Sequence, residues 1–193
     1  MFRLFYNMRG GDPARSIGDG RSGKVVVVAH CLLNQNSVVW GLAHAPGAFR
    51  GLAELLAEKG YGIVQLPCPE TSYAGLRRWW QSVEQYDNPG FRSHCKRLSE
   101  FMADYLEALR EGGVEVVAVI GVKGSPSCGV HETFSAPWRG NPAEAPEGRR
   151  VNGRGVFMRI FLEELRRRGF SPRLYDFDTG NPERSVEYLR GEI

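Results

Sequence analysis

Three of the four cysteines in this 193-residue chain share one kind of setting. Cys31 follows the apolar run 24–29, Cys68 follows the run 61–66, and Cys128 lies in a Gly-Ser-Pro-Ser-Cys-Gly turn beyond 116–121. Their flanks are His30-Cys-Leu-Leu-Asn34, Leu66-Pro-Cys-Pro-Glu70 and Ser125-Pro-Ser-Cys-Gly129, rich in Pro, Gly, Asn and Ser where a core position would be apolar. Proline fixes the backbone beside a thiol, and glycine lets a bulky ligand approach. One such cysteine reads as a small buried hydrophobe. Three at corresponding strand ends read as a metal or cluster site that leaves one position open for chemistry. Cys95 falls inside a helical stretch, where a structural role is the plainer reading and a fourth ligand the sharper one. No Cys-x-x-Cys occurs, so neither a thioredoxin-type motif nor a zinc ribbon is available.

The elements that must carry these thiols are legible from periodicity. Strands are expected over 24–29, 61–66, 115–122 and 172–177, and helices over about 48–59, 91–110 and 156–168, with a last short helix over 182–190. In the helix 91–110 the apolar face is expected to hold Leu98, Phe101, Met102, Tyr105, Leu106 and Leu109. Alternating strands and helices imply right-handed crossovers and a mainly parallel sheet covered on both faces. The fold class is α/β, a Rossmann-like three-layer sandwich with about four strands. Its carboxyl edge is where such sheets hold ligands. Residues 1–23 read as a flexible extension, 24–193 as a single domain, and 136–150 as an exposed loop or lid.

Composition narrows the class. A hydrophobic fraction of 42% with 24% charged residues is ordinary for a globular protein, and no apolar run approaches a membrane span. The first residues lack a sustained hydrophobic region and a cleavage site, so a cytoplasmic protein, monomer or homodimer, is expected. Without a secretory context a disulfide framework does not suit a chain of this size. A net charge of +3 is too small for a dedicated nucleic-acid binder, and Arg166-Arg-Arg168 reads as cations at a helix end, with an RNA-contacting patch as the alternative. Neither Gly-x-Gly-x-x-Gly nor a Walker motif follows the first strand, which excludes the common nucleotide modules.

The motifs Cys31-Leu-Leu-Asn34, Pro67-Cys-Pro-Glu70 and Ser125-Pro-Ser-Cys-Gly129, in that order and at strand ends, resemble those of the thiouracil desulfidase family over residues 24–177. The resemblance implies a [4Fe–4S] cluster held by Cys31, Cys68 and Cys128, with the fourth iron open to sulfur, and Glu70 and Ser125 as the polar residues beside it. Two segments depart from the family pattern, 35–40 after the first motif and 71–80 after the second. The implied reaction is non-redox removal of sulfur from a thiocarbonyl compound, a thiolated nucleobase or a thioamide, as hydrosulfide. Glu70 would take a proton from water, and Ser125 would orient substrate or water. Asn34 and Ser127 are the candidate substrate contacts.

Several of these residues carry a plain reading beside the functional one. Glu70 suits the start of a helix; Asn34 suits a turn; His30 and His131 suit structural hydrogen bonds or contacts behind the site. Trp79-Trp80 beside Arg77-Arg78 would stack a heterocycle or be buried. Three other functions remain open: a cluster-based sulfur carrier serving tRNA or cofactor thiolation, a non-catalytic zinc protein using His30 or His131 with the thiols, and sulfur transfer through a persulfide on Cys128 alone.

Overall fold

In the computed structural model, which describes residues 20–137 and 147–193, the order of elements follows from where the β-branched runs end. The first strand, β1 (Lys24–Val28), is four consecutive valines after a lysine, and all four are buried. A strand buried on both faces belongs at the centre of a parallel sheet. β1 indeed pairs in parallel with β2 (Gly62–Gln65) on one side and β3 (Glu115–Val122) on the other, and β3 pairs in parallel with β6 (Arg173–Phe177). The order β2-β1-β3-β6 reverses direction of growth between β1 and β3. That reversal opens a crevice at the carboxyl edge. The expected strands, and the α/β class with a mainly parallel four-stranded sheet, are therefore present.

Two helical layers cover the sheet. α2 (Arg50–Glu58) packs against α7 (Pro182–Glu192), and α5 (Pro89–Glu111) against α6 (Val156–Arg167). Between them lie three short helices, α1 (His30–Leu33), α3 (Pro69–Ala74) and α4 (Val83–Tyr86). α5 starts where Asn88 accepts the Phe91 N–H at 2.9 Å with Pro89 in the first turn, and it ends at Gly113, whose φ of 84° a side chain would resist. Its buried stripe is Phe91, Cys95, Ser99, Met102, Ala103 and Leu106. Phe101 and Tyr105, expected on the buried face, are exposed. The stripe that is buried includes small residues, Cys95, Ser99 and Ala103, which let α5 lie close to its neighbours. Met102 and Leu106 of the expected face are buried and Leu98 and Leu109 pack against the core, so a reading by apolar size alone placed the face too far toward Phe101 and Tyr105.

Arg168 does more than complement a helix end. It ties α6 to α5, meeting Glu164 at 2.7 Å, Glu107 at 2.9 Å and Asp104 at 2.6 Å. Hydrogen bonds from Arg167, then Arg168, hold the Glu164 carboxyl down at about 2.

The sequence reading missed a second sheet, the antiparallel pair β4 (Glu132–Ser135) and β5 (Arg149–Asn152). Part of the expected loop 136–150 is thus strand, while residues 138–146 lie outside the described residues, as do residues 1–19 of the expected extension. β5 is Arg-Arg-Val-Asn, mostly exposed, so it carries no alternating apolar signal. Among the described residues no helix is long and apolar enough to cross a membrane.

Candidate active site

The ends of β1, β2 and β3 each turn into a short, tightly bonded segment that presents a thiol. After β1 the chain enters α1, whose first residue ties two strand ends together. His30 Nδ1 lies 3.1 Å from the Leu66 carbonyl, and Gln65 Nε2 donates to the His30 carbonyl at 2.9 Å. Cys31 follows, its carbonyl accepting from Gln35 Nε2 at 2.7 Å. After β2, Cys68 takes the N-cap position of α3, where its Sγ accepts the Thr71 N–H at 3.4 Å. Pro69 occupies the first turn, as the fixed φ of proline favours.

The third thiol sits on the most constrained segment. Ser125 Oγ accepts the Cys128 N–H at 3.0 Å, closing the turn. The N-terminus of α6 has no side-chain cap; its N–H groups are met by this loop, Val156 N–H donating to the Pro126 carbonyl at 2.9 Å and Met158 N–H to the Ser127 carbonyl at 3.0 Å. The approach is so close that a Cβ on Gly155 would lie 2.3 Å from the Ser127 carbonyl carbon, and one on Gly121 would lie 2.4 Å from the Cys128 oxygen. Beyond the loop, the Asp176 carboxylate on β6 accepts the N–H groups of Val130 and His131 at 2.7 Å and of Glu132 at 3.3 Å.

All three thiols open on one cavity of about 560 Å³, together with Glu70, Ser125 and Ser127. Val39, Leu42, Trp80 and Phe134 give it apolar and aromatic walls, and Lys123, Arg149 and Arg150 line it at the β3 and β5 side. Such a volume suits a small molecule. Burial, and after it the nearby Cys68 and Glu70, push the Cys31 thiol up to about 12. Cys128 is pushed up by burial and then by Cys31. The thiols are therefore close enough to oppose each other's ionisation. A bound cationic centre reverses that balance, because it favours thiolates outright. Among the described residues no three or more His, Cys, Asp and Glu side chains gather tightly enough for one ion. Three soft donors opening on one cavity are the ligand type that an iron–sulfur cluster takes, so the residues present would suit the cluster that the motifs imply.

Comparison with known proteins agrees with this arrangement of motifs. Residues 23–168 match the family model described as "Putative 2-thiouracil desulfurase", a span that includes the three thiols and Glu70. The chain belongs to this desulfurase family. An uncharacterized protein of Methanocaldococcus jannaschii is 40% identical to this family member over 107 residues, 55% of this chain and 68% of its own length. A solved structure of a [4Fe-4S]-dependent thiouracil desulfidase superposes over 86% of this chain and 97% of its own, with 18% identity and a TM-score of 0.44. Membership makes the protein one of a family whose activity is removal of sulfur.

Within this desulfurase the expected site residues divide. Glu70 is in the first turn of α3, as a helix-starting acid would be, yet its carboxylate is turned to the cavity side. Ser127 Oγ donates to Oε1 at 2.6 Å and Arg78 Nε to Oε2 at 3.0 Å. Ser127 is thus the hydroxyl on Glu70, whereas Ser125 builds the turn. Asn34 is not brought into the cavity: it accepts the Asn36 N–H at 3.1 Å and lies 3.3 Å from His30 Nε2, the turn-forming reading. His131 Nε2 lies 3.2 Å from the Leu174 carbonyl, away from the thiols. Trp79 is exposed, while Trp80 lines the cavity edge-on to Phe134 at 6.0 Å. Cys95 is fully buried in α5 and outside the cavity.

Two residues of the site were given no role beside Glu70 from the sequence, Arg78 having entered only as a neighbour of the tryptophans. Arg78 is buried against Glu70, and Tyr86 is buried on the cavity wall beside Glu70 and Arg78. Burial and the Glu70 charge keep that phenol protonated far above neutral pH. An arginine before two tryptophans gives no local sign that it will be buried. The only hint was that 71–80 departs from the motif pattern of the family.

Proposed function

We propose that this protein is an iron–sulfur-dependent desulfidase that hydrolyses the C=S group of a small thiolated heterocycle of the thiouracil type. Water supplies the oxygen of the carbonyl product and sulfur leaves as hydrosulfide, so no electron is gained or lost. Cys31, Cys68 and Cys128 would hold a [4Fe–4S] cluster, which when bound supplies a thiophilic iron that polarises the C=S bond. The observation that carries the reading is the opening of three strand-end thiols and the Glu70 carboxylate on one small-molecule cavity.

The chain's own side chains account for the rest. Glu70, hydrogen-bonded to Ser127 and Arg78, takes the proton of the attacking water. Ser127 holds Oε1 and stands ready to orient the water, while Ser125 keeps the Cys128 turn closed. Trp80 and Phe134 offer ring faces and edges to a planar heterocycle.

The test is anaerobic purification with iron, acid-labile sulfide and zinc counted per chain, in the wild type and in Cys31→Ala, Cys68→Ala, Cys128→Ala and Cys95→Ala. Cubane iron lost in the first three variants but kept in Cys95→Ala, with equal release of uracil and sulfide from 2-thiouracil, is the expected result. Zinc, or no metal after anaerobic reconstitution, would overturn the reading.

A further inference from the structure

Arg78 lies in the segment between α3 and α4, and its side chain is only 3% exposed. Each nitrogen of its guanidinium has a partner. Nε donates to Glu70 Oε2 at 3.0 Å, one terminal nitrogen to Thr71 Oγ1 at 3.2 Å and the Gly75 carbonyl at 2.9 Å, and the other to the Ser37 carbonyl at 3.0 Å. A buried cation of this kind adds little net stability over an apolar side chain of similar size, because desolvation offsets the ion pair. What it supplies is geometry: a planar fork with fixed donor directions.

That fork sits at the middle of one polar chain. Thr71 links Arg78 to Cys68 on one side, its Oγ1 3.3 Å from the thiol. On the other, Glu70 links Arg78 to Ser127, whose Oγ lies 3.4 Å from Cys128 Sγ. Glu70 is therefore gripped through both oxygens, Oε1 by a residue of the Cys128 loop and Oε2 by Arg78. A carboxylate held at both oxygens keeps one orientation; its unused lone pairs then point in fixed directions.

We propose that Arg78 is a positioning residue that fixes the orientation of the Glu70 carboxylate toward the substrate. The inference rests on Glu70 serving as the base in the desulfidase reading above. It predicts that Arg78 acts only through Glu70, and that substrate binding does not depend on it.

The experiment is a double-mutant cycle in the anaerobically loaded protein, with Arg78→Met, Arg78→Lys and Glu70→Gln, reading kcat and KM for 2-thiouracil and iron per chain. Arg78→Met is expected to lower kcat by about 10- to 100-fold, the scale of a misplaced general base, with KM and iron content nearly unchanged. Arg78→Lys, which keeps the charge but not the fork, recovers part of that loss. In the Glu70→Gln background neither Arg78 variant lowers kcat further. An equal loss in both backgrounds, or a full kcat in Arg78→Met, overturns the proposal. Should Arg78→Met fail to load iron, Arg78→Lys carries the same cycle. A crystal structure of the metal-free Arg78→Lys protein reads the same point without turnover: Glu70 is expected to leave its contact with Ser127, and an unmoved Glu70 counts against Arg78. A wild-type protein that loads iron but releases no sulfide would refute the desulfidase reading, and this inference with it; an additive cycle refutes the inference alone.

Discussion

Gly155 offers the sharpest test of how the Cys128 loop is held. A Cβ there would lie 2.3 Å from the Ser127 carbonyl carbon, 2.5 Å from its oxygen and 2.7 Å from the Cys128 nitrogen, all of them backbone atoms, where ordinary contact begins at 3.4 Å. Gly155→Ala therefore forces helix α6 and the loop apart by about 1 Å, because no flexible side chain can yield. Three backbone bonds span that gap, from Gly155 N–H to Gly129, Val156 N–H to Pro126 and Met158 N–H to Ser127, at 2.9, 2.9 and 3.0 Å. Overpacking costs about 1–3 kcal/mol and each weakened bond about 0.5–1.5 kcal/mol. The expected loss is about 2.5–7.5 kcal/mol, or a melting point lower by about 5–30 °C for a chain of this length. The assay is urea unfolding of the metal-free protein followed by circular dichroism, with Gly47→Ala, whose new Cβ meets nothing within 4 Å, as the control. Iron bound per chain after reconstitution reports whether Cys128 has moved. A Gly155→Ala protein within about 0.5 kcal/mol of wild type and fully loaded would refute the account of the loop.

Three further outcomes follow from the same contacts. Asp176→Ala removes the acceptor of three backbone N–H groups at residues 130–132 and should cost about 2–4 kcal/mol by urea unfolding; Asp176→Asn, which keeps one acceptor oxygen, should cost less. Glu164→Gln should lower stability at neutral pH by about 1 kcal/mol, and the deficit should shrink as pH falls. The native carboxyl titrates at about 2 against an ordinary value of 4.5, so its stabilising effect is complete above 4.5 and is lost on the way down through 2. A deficit that stays constant from pH 6 to pH 2 would sink that assignment. Ser127→Ala should lower kcat by at least about tenfold with iron retained, while Ser125→Ala should chiefly destabilise, by about 1 kcal/mol in urea unfolding, since its hydroxyl serves the Cys128 N–H. The reverse ranking would restore Ser125 as the hydroxyl beside Glu70.

The parallel sheet was legible because β1 and β3 are long runs of β-branched residues, a signal that survives without knowledge of the fold. The strand-end thiols were legible for the same reason: parallel neighbours must emerge at one edge, so three local observations fixed one place. What failed was information that depends on the partner surface. The buried side of α5 is chosen by how closely Cys95, Ser99 and Ala103 allow neighbours to approach, not by the bulk of Phe101 and Tyr105. β5 is held by pairing with β4 across a long gap in sequence, and its arginines give no strand signal. The choice between Ser125 and Ser127, two residues apart on one turn, is decided by the direction each hydroxyl takes, which spacing does not encode. Arg78 is hidden for a related reason: its four acceptors come from α3 with its end at Gly75 and from the distant Ser37, and none of them is adjacent to it in sequence.

The loop that carries Cys128 is completed from further along the chain, and this sets an order in time. Cys31 and Cys68 emerge from a ribosome with β1 and β2, but the perch of the third thiol needs the N–H groups of residues 155, 156 and 158, and the turn beyond it needs Asp176. A nascent chain halted before α6 carries the third thiol on a turn that lacks these partners. Loading of any metal that requires all three therefore has to wait until the chain has been made and folded through α6 and Asp176.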